Sequence, residues 1–273
     1  MERIGYCRLC GLKKTLTHDH VPPKSCFNSG LIKTTRLSDD NYFLLSQNGL
    51  KLQSVCRECN NDYLGGKFDL DFSVFVKDIA KYYYHNKFAK LKLMRFAFKA
   101  NSRNIARSII GHLLAANFTK ENIVEPLPEK HSDFVDNLYK CFWIGDDEYF
   151  NKIRIYFWIH QYRTIEINPF FTFALLGSED STIFGALLKF FPLGIYVVEK
   201  EKIDKYLKVD LSEIIVSTDN IIVDYNNVQE SNFPLSEINK DNNKWLVAFV
   251  DSGKNIKGIK SEFYNKTHII KPF

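Results

Sequence analysis

The sequence predicts an α+β protein in three parts, and three observations predict it. Two Cys-x-x-Cys steps, Cys7/Cys10 and Cys56/Cys59, fall in a first region broken by Gly, Asn, Asp and Pro. Apolar residues then recur at three- and four-residue steps, at Phe72, Phe75, Val76 and Ile79 and again at Ile105, Ile109, Ile110, Leu113 and Leu114. That is a helical period. Beyond Pro126 and Pro128 the chain turns to short runs rich in β-branched and aromatic residues, punctuated by Gly, Asn and Asp. The expected parts are a metal-stapled unit over residues 1–72, a basic helical region over 73–130 and a mostly antiparallel β region over 131–273.

The first part is short and polar, so hydrophobic burial alone would not fold it. Cys7, Cys10, Cys56 and Cys59 offer four thiolates, the ligand count of a closed tetrahedral zinc site. Binding such an ion contributes folding energy directly. The gap between the pairs is long, so an insert must leave the site and return to it. In the middle part, two or more helices are expected between Asp71 and about Phe118, followed by a connection over Glu121 to Lys130. In the last part the strand candidates are CFWI, IRIYFWIHQY, TIEI, FFTFALL, IYVVE, EIIVS, NIIVDY and KWLVAFV, with one short helix around Thr182 to Phe190.

Composition narrows the setting. The chain has 273 residues, 45% hydrophobic and 25% charged, in the range of a soluble globular protein. Its 23 Phe and 14 Tyr supply ample apolar area for a core. No apolar run approaches the roughly 20 residues that span a bilayer. The opening MERIGYCRLC lacks the layout of a signal peptide. The expectation is a cytoplasmic protein with reduced thiols, in which paired cysteines bind metal rather than each other. Cys26 and Cys141 read as small buried hydrophobes.

Charge is distributed unevenly. Residues 1–76 hold ten basic and eight acidic side chains, and residues 108–273 hold 18 basic and 23 acidic. Between them lie Lys77, Lys81, Lys87, Lys90, Lys92, Arg95, Lys99, Arg103 and Arg107 against Asp78 alone. A basic segment next to a metal module is the footprint of a polyanion-binding face. Aromatic residues interleave with these charges, at Phe75, Tyr82, Tyr83, Tyr84, Phe88, Phe96 and Phe98. Most are expected to pack inward, with Lys77, Lys81, Lys87, Lys90, Lys92, Arg95 and Lys99 turned toward nucleic-acid phosphates. The acidic remainder is a poor nucleic-acid surface. It is open to docking a protein partner, sensing a ligand or forming a homodimer.

The insert between the Cys pairs carries His18-Asp19-His20-Val21-Pro22, and the second pair is followed at once by Asn60. The order Cys-x-x-Cys, Asp-His-Val-Pro, Cys-x-x-Cys-Asn resembles the HNH endonucleases in their zinc-stapled ββα-metal form. The resemblance covers roughly the first quarter of the chain. It implies that His20 is the general base, that Asp19 and Asn60 bind a catalytic divalent ion such as Mg²⁺, and that the substrate is DNA, with RNA left open. It also implies the setting of a bacterial defence or mobile-element nuclease. Two features depart from the family pattern. Lys51 stands about where a structural Asn is usual, with Asn48 nearby, and the third site residue is Asn rather than His.

Elementary chemistry supports the same reading. An imidazole with a pKa of about 6.5 can accept a proton from water at neutral pH. A carboxylate and an amide oxygen are hard ligands for a divalent ion that stabilises an anion. On a regular strand Asp19 and His20 would point to opposite faces, so a bend at Pro22-Pro23 is expected to bring both to one phosphate. His18 is a further ligand candidate or a solvated neighbour, and Asp39-Asp40 a polar loop. His85, His112, His131, His160 and His268 have no companion motif and read as packing or surface residues. The rival reading is a zinc module that binds nucleic acid or protein without catalysis.

Overall fold

A computed structural model describes residues 3–30, 32–36, 43–89, 95–117, 122–129, 131–161, 164–175, 182–206, 211–225, 247–250 and 256–259. Lys90, Lys92, Asp39, Asp40 and His268 lie outside the described residues. The fold is α+β, and its named strand ladders are all antiparallel.

Strands β1 (Arg3–Tyr6), β2 (Lys13–His20) and β5 (Lys51–Cys56) form a small sheet in the order β1-β2-β5. Between β2 and β5 the chain makes a hairpin of β3 (Ile32–Arg36) and β4 (Phe43–Ser46). After β5 it winds directly into a π-helix, Cys59–Phe68, and then α1 (Asp69–Ala89). This three-stranded sheet followed by a helix makes up the first region. The β3–β4 hairpin, however, does not stay with it. β3 pairs with β14 (Ile256–Ile259) and so belongs to the large sheet formed mainly by later residues.

The middle region is not wholly helical. Arg95 to Lys99 form strand β6, not a helix, and pair with β12 (Asn220–Asp224). The cause is a period of two. Phe96 and Phe98 alternate with Arg95, Ala97 and Lys99, while Ile221 and Val223 opposite are buried and Ile222 is exposed. NIIVDY therefore joins the middle region rather than the large sheet. Helix α2 (Ser102–Ala116) follows, capped by the Asn101 side chain accepting from the Asn104 amide.

After a single 3-10 turn at Asn122–Val124 comes α3 (Asp133–Trp143), where the sequence suggested a strand at CFWI. The run is the end of an amphipathic helix. Phe134, Leu138, Cys141 and Phe142 share its buried face, and Ser132 caps its start. The short α4 (Asp147–Phe150) leads into β7 (Ile153–Ile159), β8 (Thr164–Leu175), β9 (Thr182–Phe190) and β10 (Leu193–Glu199). TIEI and FFTFALL fuse into the single strand β8, bulged between Asn168 and Phe171. The helix expected at Thr182 to Phe190 is instead β9. Its almost continuous apolar run fills a central strand covered on both faces, and such a run carries no helical or strand period to read. After α5 (Lys200–Tyr206), EIIVS contributes only its first residue, Glu213, to the two-residue strand β11 (Ser212–Glu213). β13 (Val247–Val250) pairs with β8. The large sheet runs β11-β7-β10-β9-β8-β14-β3-β4.

One continuous core joins these parts. Phe72, Phe75, Val76 and Ile79 face inward from α1, and Phe72 and Phe75 meet Phe190 and Phe157 of the large sheet edge to face. Each fully buried ring of this kind stabilises by roughly 1.5–3 kcal/mol. Cys26 and Cys141 are buried, as expected of small hydrophobes. No helix among the described residues is long and apolar enough to cross a membrane.

Candidate active site

The four paired cysteines come together. One sulfur from each of Cys7, Cys10, Cys56 and Cys59 lies within 4.8 Å of every other, a cluster able to hold a metal ion. Cys7 follows β1, and Gly11, at φ +73°, closes the first Cys loop by donating from its amide to the Cys7 carbonyl. Cys56 ends β5 and Cys59 begins the π-helix, so β5 and the helix carry the second half-site. The Cys56 amide donates to Cys7 Sγ at 3.3 Å. A hydrogen bond from Cys59 lowers the Cys7 thiol pKa to about 5 and raises that of Cys59 in turn, while burial pushes Cys56 up to about 12. Thiols this close cannot all ionise without a cation among them. Helix α3 completes the support. Tyr139 Oη donates to the Arg8 carbonyl at 2.7 Å and Trp143 Nε1 to the Leu9 carbonyl at 2.9 Å.

Asp19, His20 and Asn60 meet at one cleft of about 680 Å³, which His18, Lys24, Ser25, Asp69, Ser73 and Lys77 also line. The β2–β5 ladder is bulged between Thr17 and His18, where Ser54 of β5 is the extra, unpaired residue, and the alternation along β2 is reset there. Leu16 and Asp19 both point inward, three residues apart, where an unbroken strand would put them on opposite faces. That bulge, which the sequence did not reveal, aims the carboxylate.

The wall opposite is built by a change of helical step. In the π-helix, bonds skip five residues, so Asn60 and Gly65 stand one turn apart. Helix α1 then carries the face forward in steps of four, through Asp69, Ser73 and Lys77, all of which line the cleft. Lys77 is thereby brought to the cleft. Lys81 is exposed one turn further on, and Lys87 lies on the same helix. Arg95 is ion-paired with Asp224 at 2.9 Å, and Lys99 lines a separate hollow with Asp71, Asp78 and Asp219.

His20 is fixed by the Asn48 carbonyl, 2.9 Å from Nε2. A carbonyl can only accept, so Nε2 carries the proton and Nδ1 keeps the lone pair. Partial burial lowers the His20 pKa, and Lys51 adds to the lowering, against the opposing pull of the Asn48 contact. Asn60 donates from Nδ2 to Thr17 Oγ1 at 3.0 Å and to the His18 carbonyl at 3.2 Å. Both amide hydrogens are engaged, which leaves Oδ1 as the atom for a ligand. Asp19 Oδ2 is buried and meets no aligned hydrogen-bond donor. The other carboxylate oxygen of Asp19, Oδ1, and the Asn60 amide oxygen at one cleft are the donor types that suit a small hard cation.

Two residues of the site were not read from the sequence. Asn28 is fully buried and ties together the ends of the loop that follows His20. Its Nδ2 donates to the carbonyls of Pro22 and Leu50, and its Oδ1 accepts from the Leu50 amide. Gly49, at φ +81°, is part of the same junction, since a Cβ there would lie 2.3 Å from the Asn28 carbonyl oxygen.

His112, one of the histidines read from the sequence as packing or surface residues, lies fully buried behind the cleft. Its Nε2 hydrogen-bonds Asp69 Oδ1 at 3.0 Å, and Asp19 Oδ2 lies 3.2 Å from Nδ1, within ion-pair range but out of line for a hydrogen bond. Burial opposes charge on the ring, yet the two carboxylates outweigh it and raise its pKa to about 10. Ser108 adds a hydrogen bond to Asp69 Oδ1 at 2.7 Å, and Asn104 reaches Asp71 at 2.7 Å. Asn104, Ser108 and His112 thus form a stripe along α2, at steps of four, that grips the start of α1. Seven histidines gave the sequence no means of singling this one out. No family model, curated protein or solved structure matches the chain, so the site is read from its own geometry.

Proposed function

We propose that the chain is a metal-dependent endonuclease of the HNH type, with zinc in its four-cysteine cluster and DNA as its substrate. The observation that carries this reading is the convergence of Asp19, His20 and Asn60 on one cleft, with Lys24 and Lys77 on its rim. Asp19 and Asn60 Oδ1 would hold the divalent cation, which supplies counter-charge for the phosphorane and the leaving oxygen. Lys24 and Lys77 draw the substrate's phosphates to the cleft. His20 Nδ1 takes a proton from a water molecule as its oxygen bonds to phosphorus, and the bond from phosphorus to the leaving oxygen breaks. The Asn48 carbonyl holds the Nε2 proton and steadies the imidazolium that forms. Asn28 keeps the loop behind the base in place.

Incubating the protein with supercoiled plasmid and Mg²⁺, Mn²⁺ or Ni²⁺ tests the reading. Relaxed or linear products are expected from the wild type and not from His20→Ala. Equal cutting by both would remove His20 as the base. Binding without any cutting would leave a zinc module that holds nucleic acid.

A further inference from the structure

Helix α2 lies outside the strand-and-helix unit that carries Asp19, His20 and Asn60, yet it delivers His112 to the back of their cleft. Burying an imidazole between two carboxylates costs desolvation that a leucine of similar volume would avoid. What the imidazole offers instead is geometry. One ring edge faces Asp19, the other is bonded to Asp69, and Ser108 holds Asp69 from the side. Both carboxylates line the cleft. With Oδ2 turned to the ring, Asp19 has Oδ1 left for a ligand.

We propose that His112 is a positioning residue for the cleft's cation: it sets the orientation of Asp19 from behind, with Asp69 as its own anchor. The proposal rests on the nuclease reading for the presence of a cation. Groups that hold a metal-ligating carboxylate from behind commonly govern affinity by about 10- to 100-fold. The ring cannot touch the substrate, because it is fully enclosed. Its effect must pass through Asp19.

Two substitutions separate the ring's two edges. In His112→Asn the amide nitrogen overlays Nδ1 and keeps a donor toward Asp19. In His112→Gln it overlays Nε2 and keeps only the donor toward Asp69. Mn²⁺ binding to the full chain is measured by calorimetry, beside zinc content and melting temperature. His112→Gln should weaken Mn²⁺ binding roughly tenfold or more, while His112→Asn stays near the wild type, with zinc retained in both. Equal losses in the two variants that follow their melting temperatures, or no loss in either, overturn the proposal. Should both variants fail to fold, the wild type decides. Bound Mn²⁺ must broaden the ring ¹⁵N–H signals of His112, and sharp signals at saturating Mn²⁺ overturn the assignment. A wild type that binds no Mn²⁺ at the cleft removes this proposal and the nuclease reading together. One that binds Mn²⁺ but never cuts removes only the latter.

Discussion

Asn28 and Leu50 clasp each other through two hydrogen bonds. The Leu50 amide donates to Asn28 Oδ1 at 2.6 Å, and Asn28 Nδ2 donates to the Leu50 carbonyl at 3.0 Å. A third bond, from Nδ2 to the Pro22 carbonyl, fastens the turn after the proposed base. Asn28→Asp keeps the shape but turns an oxygen toward two carbonyls. It should cost roughly 3 kcal/mol of stability, as buried polar groups lose partners, and plasmid cutting should fall with it. Urea denaturation and the nicking assay measure both; an unaltered midpoint would exclude Asn28 as the loop's fastening.

The cluster of four cysteines should carry one zinc ion per chain. Cys56→Ser should lose it and loosen the first sheet, because β5 ends and the π-helix begins at the site. Brief chelation should stop cutting reversibly by stripping the cleft's cation, whereas prolonged chelation that removes zinc should unfold the region. Elemental analysis of folded, reduced protein checks the stoichiometry. Zinc-free protein with intact structure would refute it.

His20→Ala should lower cutting by about 10²–10⁴-fold, the usual contribution of a positioned base, with zinc and DNA binding little changed. Asn60→Ala and Asp19→Ala should instead respond to added Mg²⁺ or Mn²⁺, since their loss falls on the cation. Rate against metal concentration distinguishes the two patterns. Similar curves for all three variants would contradict the assigned roles.

His20 must be neutral to take a proton. Its pKa is held below 6.5 by burial and, secondarily, by Lys51. Activity should therefore persist below pH 6.5 and fail only as acid protonates the ring. Lys51→Gln removes one lowering charge, so the acid limb should move to higher pH. A limb in Lys51→Gln that stays put or moves to lower pH would argue against His20 as the titrating group.

Lys77 lines the cleft and Lys81 is exposed one helical turn away. If both contact phosphates, replacing them with Gln should flatten the log–log salt dependence of duplex binding by roughly 0.9 per contact. The loss should be alike on unrelated sequences, because phosphate contacts position without reading bases. Arg95→Gln should change the slope less, as its charge is already paired with Asp224. Identical slopes in wild type and the Lys77/Lys81 double variant would confine binding to other surfaces.

The Cys pairs were legible because their chemistry is written in spacing, and the structure brings those four thiols together. The meeting of Asp19, His20 and Asn60 was legible only as a juxtaposition of motifs. The bulge that turns Asp19 inward and the five-residue step from Asn60 to Gly65 have no compositional mark. Asn28 and His112 were missed for a similar reason, since each acts through partners distant along the chain. Strand β9 and helix α3 were exchanged because short apolar runs hold no period. Only their neighbours decide which hydrogen-bond pattern they join.

The pairing of β3 with β14 also has a consequence in time. Thr35 meets Lys257, so a strand from the segment that bears the cleft finds one of its two neighbours only once synthesis has passed Lys257. The cysteine cluster and the β2–β5 pairing need only early residues, whereas the large sheet waits for late ones. Such long-range closure slows folding. A nascent chain would thus acquire its ion-binding knot first and the full support of the loop between β2 and β5 last.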